Sequence, residues 1–292
     1  MARRMVRIST MALLVALAVA GCSATPKKAA TGGGGVEASS HPDPQALAKA
    51  DDFLQSNAPA ERARQAILKR CMNEAGFDWE EQGVSQVRVR DLMSLKPLTV
   101  EEARQRGYAN PEKSGRQERG GPLSPAGTVA YVGPPDAPKV SVDVLGMAPS
   151  VSSKGCLATS YREVYGSVEN GMLATGVTAN AVLPAINAAI GDPSVIEADK
   201  KWSACMTDAG LPGFDTPELA WNAARKNSSD AGSLAVADAK CREAIAYEAT
   251  RTAALNSYLT TFLESNEAII SEIQGFRKQG ASRAETILSG SR

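Results

Sequence analysis

Five cysteines and one histidine carry most of the chemistry this 292-residue chain could perform. Cys22 closes the tetrapeptide "VAGC" (19–22) at the end of an apolar run, and small residues before such a cysteine suit acylation of its thiol. The remaining four, Cys71, Cys156, Cys205 and Cys241, form an even set, which in an exported chain favours disulfides. A four-cysteine zinc site would use pairs two to four residues apart, and no pair here is that close. No metal is expected, and nothing calls for a cofactor. The only histidine, His41, precedes every expected element of structure. Nucleophilic groups built on a positioned imidazole and His-ligated zinc proteases therefore drop out. Carboxylate chemistry or a Ser-Lys pair remains open, the first with Asp78, Glu80, Glu81 and Asp143 as its raw material. No spacing selects a pair among them.

The first segment sets the address. Arg3, Arg4 and Arg7 precede "MALLVALAVA" (11–20), a run too short to span a bilayer and of the right length for a signal peptide over residues 1–21. The residues after Arg3-Arg4 fit a twin-arginine export motif poorly. Residues 22–45 are rich in Gly, Ser, Thr, Ala and Pro and read as a lipidated flexible tether. Such a coil spans on the order of 25 Å end to end, holding the folded part just off the extracytoplasmic face of the membrane. Without the leader's three arginines, 29 basic residues stand against 32 acidic ones. No basic block is interleaved with aromatics, so no nucleic-acid partner is expected.

The elements that must hold the cysteines are written twice. "PAERARQAILKRCMNEAG" (59–76) and "PSVIEADKKWSACMTDAG" (193–210) each begin with proline and end Cys-Met-x-acid-Ala-Gly. Each reads as one helix, with proline in the first turn and glycine just past the end. Asp192 is placed to cap the second, and Trp202, three residues before Cys205, belongs to its buried face. Further on, "LTVEEA" offers Thr99 and Glu102 as a capping box, and Thr216-Pro217-Glu218 opens a helix alike. From about residue 235 to 276, Ile245, Thr252, Leu255, Leu259, Phe262, Ile269, Ile273 and Phe276 form one apolar stripe of helical period. That predicts a single helix about 50 Å long, opened by Cys241.

Four cysteines allow three pairings. Duplication favours the local one, Cys71 with Cys156 and Cys205 with Cys241. The expected fold is mainly α. It comprises two disulfide-stapled helical hairpin units, residues 46–190 and 191–292, the first interrupted by a loop-rich insert over about 77–155. The insert should carry a few short strands, at 84–90, 128–133 and 139–146, where apolar and polar residues alternate. Its recognition-capable side chains are Trp79, Arg88, Arg90, Tyr108 and Tyr131.

Taken together, the "VAGC" motif, the polar tether and the paired units resemble uncharacterised exported lipoproteins of high-GC Gram-positive (actinobacterial) bacteria. Cys22, Trp202, Cys205, Met206 and Gly210 carry the resemblance, with Cys71, Met72 and Gly76 in the first unit, where Leu68 replaces the tryptophan. The resemblance implies an anchor and a location, and no reaction. The reading is a non-enzymatic binding or adaptor module held to the lipid bilayer through acylated Cys22. Its partner would be a membrane transporter, an envelope protein or a wall polymer. The alternative is a cell-wall-directed hydrolase using paired carboxylates. A solute-binding lipoprotein ranks last, because such proteins need two lobes of alternating strands and helices.

Overall fold

The protein is seen in a computed structural model, which describes residues 36–84, 86–93, 95–108, 123–177, 179–226 and 231–290. The expected signal peptide, Cys22 and the expected tether up to residue 35 lie outside the described residues. Helices dominate: α1 (Ala46–Leu54), α2 (Ala58–Glu74), α3 (Val89–Leu92), α4 (Val100–Arg106) and α5 (Pro125–Val132) come first. A two-stranded antiparallel sheet, β1 (Lys139–Ser141) with β2 (Ser150–Ser152), follows with Val140 opposite Val151. Then come α6 (Cys156–Tyr165), α7 (Val168–Thr175), α8 (Leu183–Ile190), α9 (Pro193–Asp208) and α10 (Pro217–Lys226). The chain closes with α11 (Ala231–Ala244), α12 (Tyr247–Ser265) and α13 (Glu267–Gly290). The mainly α expectation holds, and among the described residues no helix is long and apolar enough to cross a membrane.

The repeated phrase has a local cause at the ends of α2 and α9. Gly76 and Gly210 take φ of +84° and +80°, a conformation glycine adopts without strain. Phe77 N donates to Met72 O and Gly76 N to Asn73 O; Leu211 N and Gly210 N repeat this with Met206 O and Thr207 O. Both are Schellman motifs. The methionine of each phrase is fully buried and packs against the residue after the glycine, Phe77 in one case and Leu211 in the other. Asn57 caps α2 and Asp192 caps α9, each with proline in the first turn.

Both disulfides join the expected partners: Cys71 to Cys156, with Cα atoms 5.6 Å apart, and Cys205 to Cys241, at 5.7 Å. The two staples differ in sense. Along α2 and α6 the contacts run in opposite directions, Cys71 meeting Cys156 while Arg64 lies over Tyr161. Along α9 and α11 they run the same way, Trp202 meeting Asp238 one turn before Cys205 meets Cys241.

Four expectations are corrected. Residues 125–132 form a helix and not a strand, because Ser124 accepts from Gly127 N as an N-cap and Pro125 sits in the first turn. The alternating run 84–90 pairs with no strand among the described residues and ends in α3, whose Val89 N donates to Asp51 of α1. The 139–146 stretch is a strand only at Lys139–Ser141. The long C-terminal helix is broken twice, at Ala246, with φ +53°, and at Asn266, so Cys241 lies near the end of α11 instead of opening a helix.

Residues 36–45, expected to belong to a flexible tether, pack against the fold. Val36 packs against the core formed by α1, α8 and α12. Ser39 and Ser257 exchange hydrogen bonds, Asp43 N donates to Thr260 Oγ1, and Asn256 of α12 bonds Pro44 O and Leu47 N. Residues 36–45 therefore run along α12, held by backbone groups the amide and hydroxyls satisfy. The halves drawn at 190 and 191 interlock. The last helix, α13, packs on α2, α6 and α7, and α12 packs on α1 and α8.

Candidate functional site

The five side chains singled out in the sequence fall in three places. Trp79 and Tyr131 come together, their rings stacked with centroids 4.9 Å apart and planes 20° from parallel. They lie over the Cys71–Cys156 staple with Leu68, Met72 and Phe77, and Trp79 Nε1 points to Gln65 Oε1 at 3.5 Å. Arg88 and Arg90 are exposed around α3: Arg88 N donates to Asp91, and Arg90 reaches Thr252 Oγ1 at 3.4 Å. Tyr108 sits in the other half against α11, its buried hydroxyl facing Asp238 without hydrogen-bonding geometry. Burial, then the Asp238 charge, pushes that phenol well above its ordinary pKa.

Sequence reasoning placed Trp202 in the core and missed what it bonds. Trp202 and Asp238 are fully buried, and the indole Nε1 donates to Asp238 Oδ1 at 2.8 Å. Arg242 grips both carboxylate oxygens, Nε to Oδ1 at 2.7 Å and Nη2 to Oδ2 at 2.6 Å. Its Nη1 donates to Lys96 O and to Glu248. Burial raises the Asp238 pKa while the same contact holds Arg242 more firmly protonated. With three charge-assisted or indole donors on its two oxygens, the ionised pair is the state this geometry fits. Around it, Tyr247 donates to Asp199 at 2.6 Å, and Arg251 lies 5.7 Å from the Tyr247 ring and 3.7 Å from Glu218. The break at Ala246 is what turns Tyr247 inward. Both Asp238 oxygens are occupied, so this cluster is a lock between α9, α11 and the segment at Lys96, and offers no free acid or base.

The acids considered for hydrolysis lie at the surface. Asp78, Glu80 and Glu81 follow α2 in a stretch without regular secondary structure, with Glu81 3.4 Å from Lys69. Asp143 belongs to a turn, where its Oδ1 accepts from Gly146 N. An open groove of about 790 Å³ runs between α4, α9 and α11, over the Cys205–Cys241 staple. Its lining is mostly small and apolar, Ala103, Gly107, Ala209 and Ala237 among it, with Arg104 and Lys240 as its charges. None of the four acids lines it.

The outward face of α5 is apolar. α5 carries no charge, and Val129 and Val132, one turn apart, remain 42% and 37% exposed beside the Trp79–Tyr131 stack. No known protein family, curated protein or solved structure matches this chain.

Proposed function

We propose that the protein is a non-enzymatic binding or adaptor module, held by acylated Cys22 to the extracytoplasmic face of the cell membrane. One observation carries the reading: the groups best suited to chemistry are consumed by the scaffold, while an uncharged apolar helix is left on the surface. Four cysteines are cross-linked, and the buried carboxylate Asp238 is saturated by Trp202 and Arg242. Contiguous apolar patches on a surface often mark a contact site, and Val129 and Val132 stand one turn apart on α5. The signal run, the "VAGC" motif and the likeness of α2 to α9, which we read as an internal duplication, support the address and the architecture.

The anchor is tested by expressing the full chain and Cys22→Ala in an acylating bacterial host. The parent chain should stay with the membrane and carry an acyl mass increment on Cys22, and the variant should be released. An unmodified Cys22 would sink the anchor. The non-enzymatic half is tested separately by incubating the protein with purified wall polymer. Release of new reducing ends, abolished by neutralising Asp78 or Glu80, would replace it with the hydrolase.

A further inference from the structure

We infer that the Cys205–Cys241 bond is a thiol-exchange site, opened and re-formed by a dithiol reductant that reaches it through the groove between α4, α9 and α11, while Cys71–Cys156 is a permanent staple. The inference goes beyond the binding-module reading, which stands whether or not this bond opens.

The two bonds differ in what covers them. Cys71 and Cys156 pack with Leu68, Met72 and Phe77 under the stacked rings of Trp79 and Tyr131. The end of α5 closes on the start of α6 as well: a Cβ on Gly155, just before Cys156, would meet Tyr131 O at 2.9 Å. Cys205 and Cys241 instead both line the open groove of about 790 Å³. Ala237 and Ala244 stand one turn before and after Cys241, and Ala209 one turn after Cys205, so these flanking positions carry only methyl groups. Ala103 and Gly107 of α4 keep the facing wall equally low. Among the described residues the groove's charges are Arg104 and Lys240, with no carboxylate in its lining. Arg104 stands 3.9 Å from Glu101 with both side chains exposed, a pair that leaves the positive potential largely intact. Cationic surroundings favour the thiolate, which is the attacking form.

The fold can survive the opening because other contacts keep the two sulfurs in register. Trp202, three residues before Cys205, donates to Asp238, three residues before Cys241, at 2.8 Å, and Arg242 holds both Asp238 oxygens. Tyr247 adds its bond to Asp199 of α9 at 2.6 Å. None of these involves sulfur. Cys205 is the partly exposed partner and Cys241 the buried one, so the incoming thiolate bonds to Cys205 Sγ and the electron pair of the disulfide leaves on Cys241 Sγ. The reductant's second thiolate then attacks its own sulfur in the mixed disulfide and frees Cys205. Two electrons have passed to the protein, the dithiol has become a disulfide, and its two protons end on the two cysteines.

The test treats the full chain with dithiothreitol, a neutral dithiol, and in parallel with reduced glutathione, an anionic thiol. Free cysteines are trapped by alkylation over time and located by peptide mapping, which reads Cys22 separately. Cys205 and Cys241 should be alkylated about tenfold sooner than Cys71 and Cys156, since exchange follows access. The helical circular dichroism should persist, and the same pair should re-form once the reductant is removed. Ala237→Leu, which narrows the groove one turn from Cys241, should slow opening by both reagents. Arg104→Gln/Lys240→Gln should slow glutathione and leave dithiothreitol unchanged. If Ala237→Leu melts at a lower temperature than the parent, the charge variant alone decides. Opening of Cys71–Cys156 first or at the same rate would overturn the inference. So would helix loss in step with reduction, or rates that neither variant changes.

Discussion

At the scale of single residues, the informative comparison is between Leu68 and Trp202, which occupy the same place in two otherwise similar helices, three positions before the stapled cysteine. In α9 the partner cysteine lies late in α11, so a residue one turn earlier, Asp238, stands beside Trp202 and takes its N–H. In α2 the partner helix α6 runs the opposite way from Cys156, so the register that sets Asp238 beside Trp202 is not repeated, and Leu68 is buried among apolar side chains. The Trp-Asp pairing was hidden in the sequence because it needs the disulfide and the direction of the helices first. Its trace is an aspartate and an arginine four apart in the Ala-rich run "AVADAKCREA" (235–244). Asp238→Ala should cost about 3–5 kcal/mol, because it strands the Arg242 guanidinium in a buried site. Asp238→Ala with Arg242→Met should cost less than that single change, since no buried charge is then unpaired. Urea unfolding of the three proteins checks the order, and a double variant less stable than the single would refute the lock.

At the scale of elements, ends decide more than middles. The cap at Asp192 is the clearest case: its carboxylate accepts from Ser194 N and Oγ and from Tyr258 Oη. The Ser194 hydroxyl first, then the Ser194 N–H and Tyr258, outweigh partial burial and hold its pKa below the ordinary carboxylate value. A depressed folded-state pKa means the cap contributes fully above the unfolded value of 3.8 and is lost as pH falls through the folded one. Asp192→Ala should therefore lower stability by about 1 kcal/mol at pH 7, and by less at an acid pH well below 3.8. Equal gaps at both pH values in thermal melts would contradict this. At other helix ends a buried cation does the capping. Arg277 of α13 donates to Phe53 O of α1 and Ala174 O of α7, near the ends of both helices, with its guanidinium 5.6 Å from the Phe53 ring. Arg277→Met keeps the volume but leaves two carbonyls without donors, so it should cost about 2–4 kcal/mol by urea unfolding. The glycine, proline and Thr99 signals made these ends readable in sequence. The errors came where such signals were outvoted by a side-chain pattern. "TVAY" (128–131) looks like a strand until Ser124-Pro125 is weighed as a helix start, and Ala246 gives no warning of its left-handed turn.

At the scale of the whole molecule, the sequence reads as two halves in series, and packing joins what the series separates. The stripe on residues 245–276 is legible as buried, but what it buries against is not, because α12 serves α1 and α8 while α13 serves α2, α6 and α7. The N-terminal segment makes the same kind of return. Residues 36–45 are polar, carry no apolar period, and look free for that reason. Their order comes from backbone groups meeting α12 side chains more than two hundred positions away. Asn256 is the centre of that seam, its Oδ1 accepting from Leu47 N at 3.0 Å and its Nδ2 donating to Pro44 O at 3.2 Å. Removing its amide leaves one buried donor and one acceptor short, so Asn256→Ala should cost about 1–3 kcal/mol. If the seam ties down only the entry of the chain, amide hydrogen exchange should quicken across residues 39–47 while α2, α9 and α13 keep their protection. Uniform loss of protection would instead make Asn256 a general core residue. Unchanged exchange at 39–47 would mean that Val36 and the bonds to Ser257 and Thr260 hold the segment without Asn256.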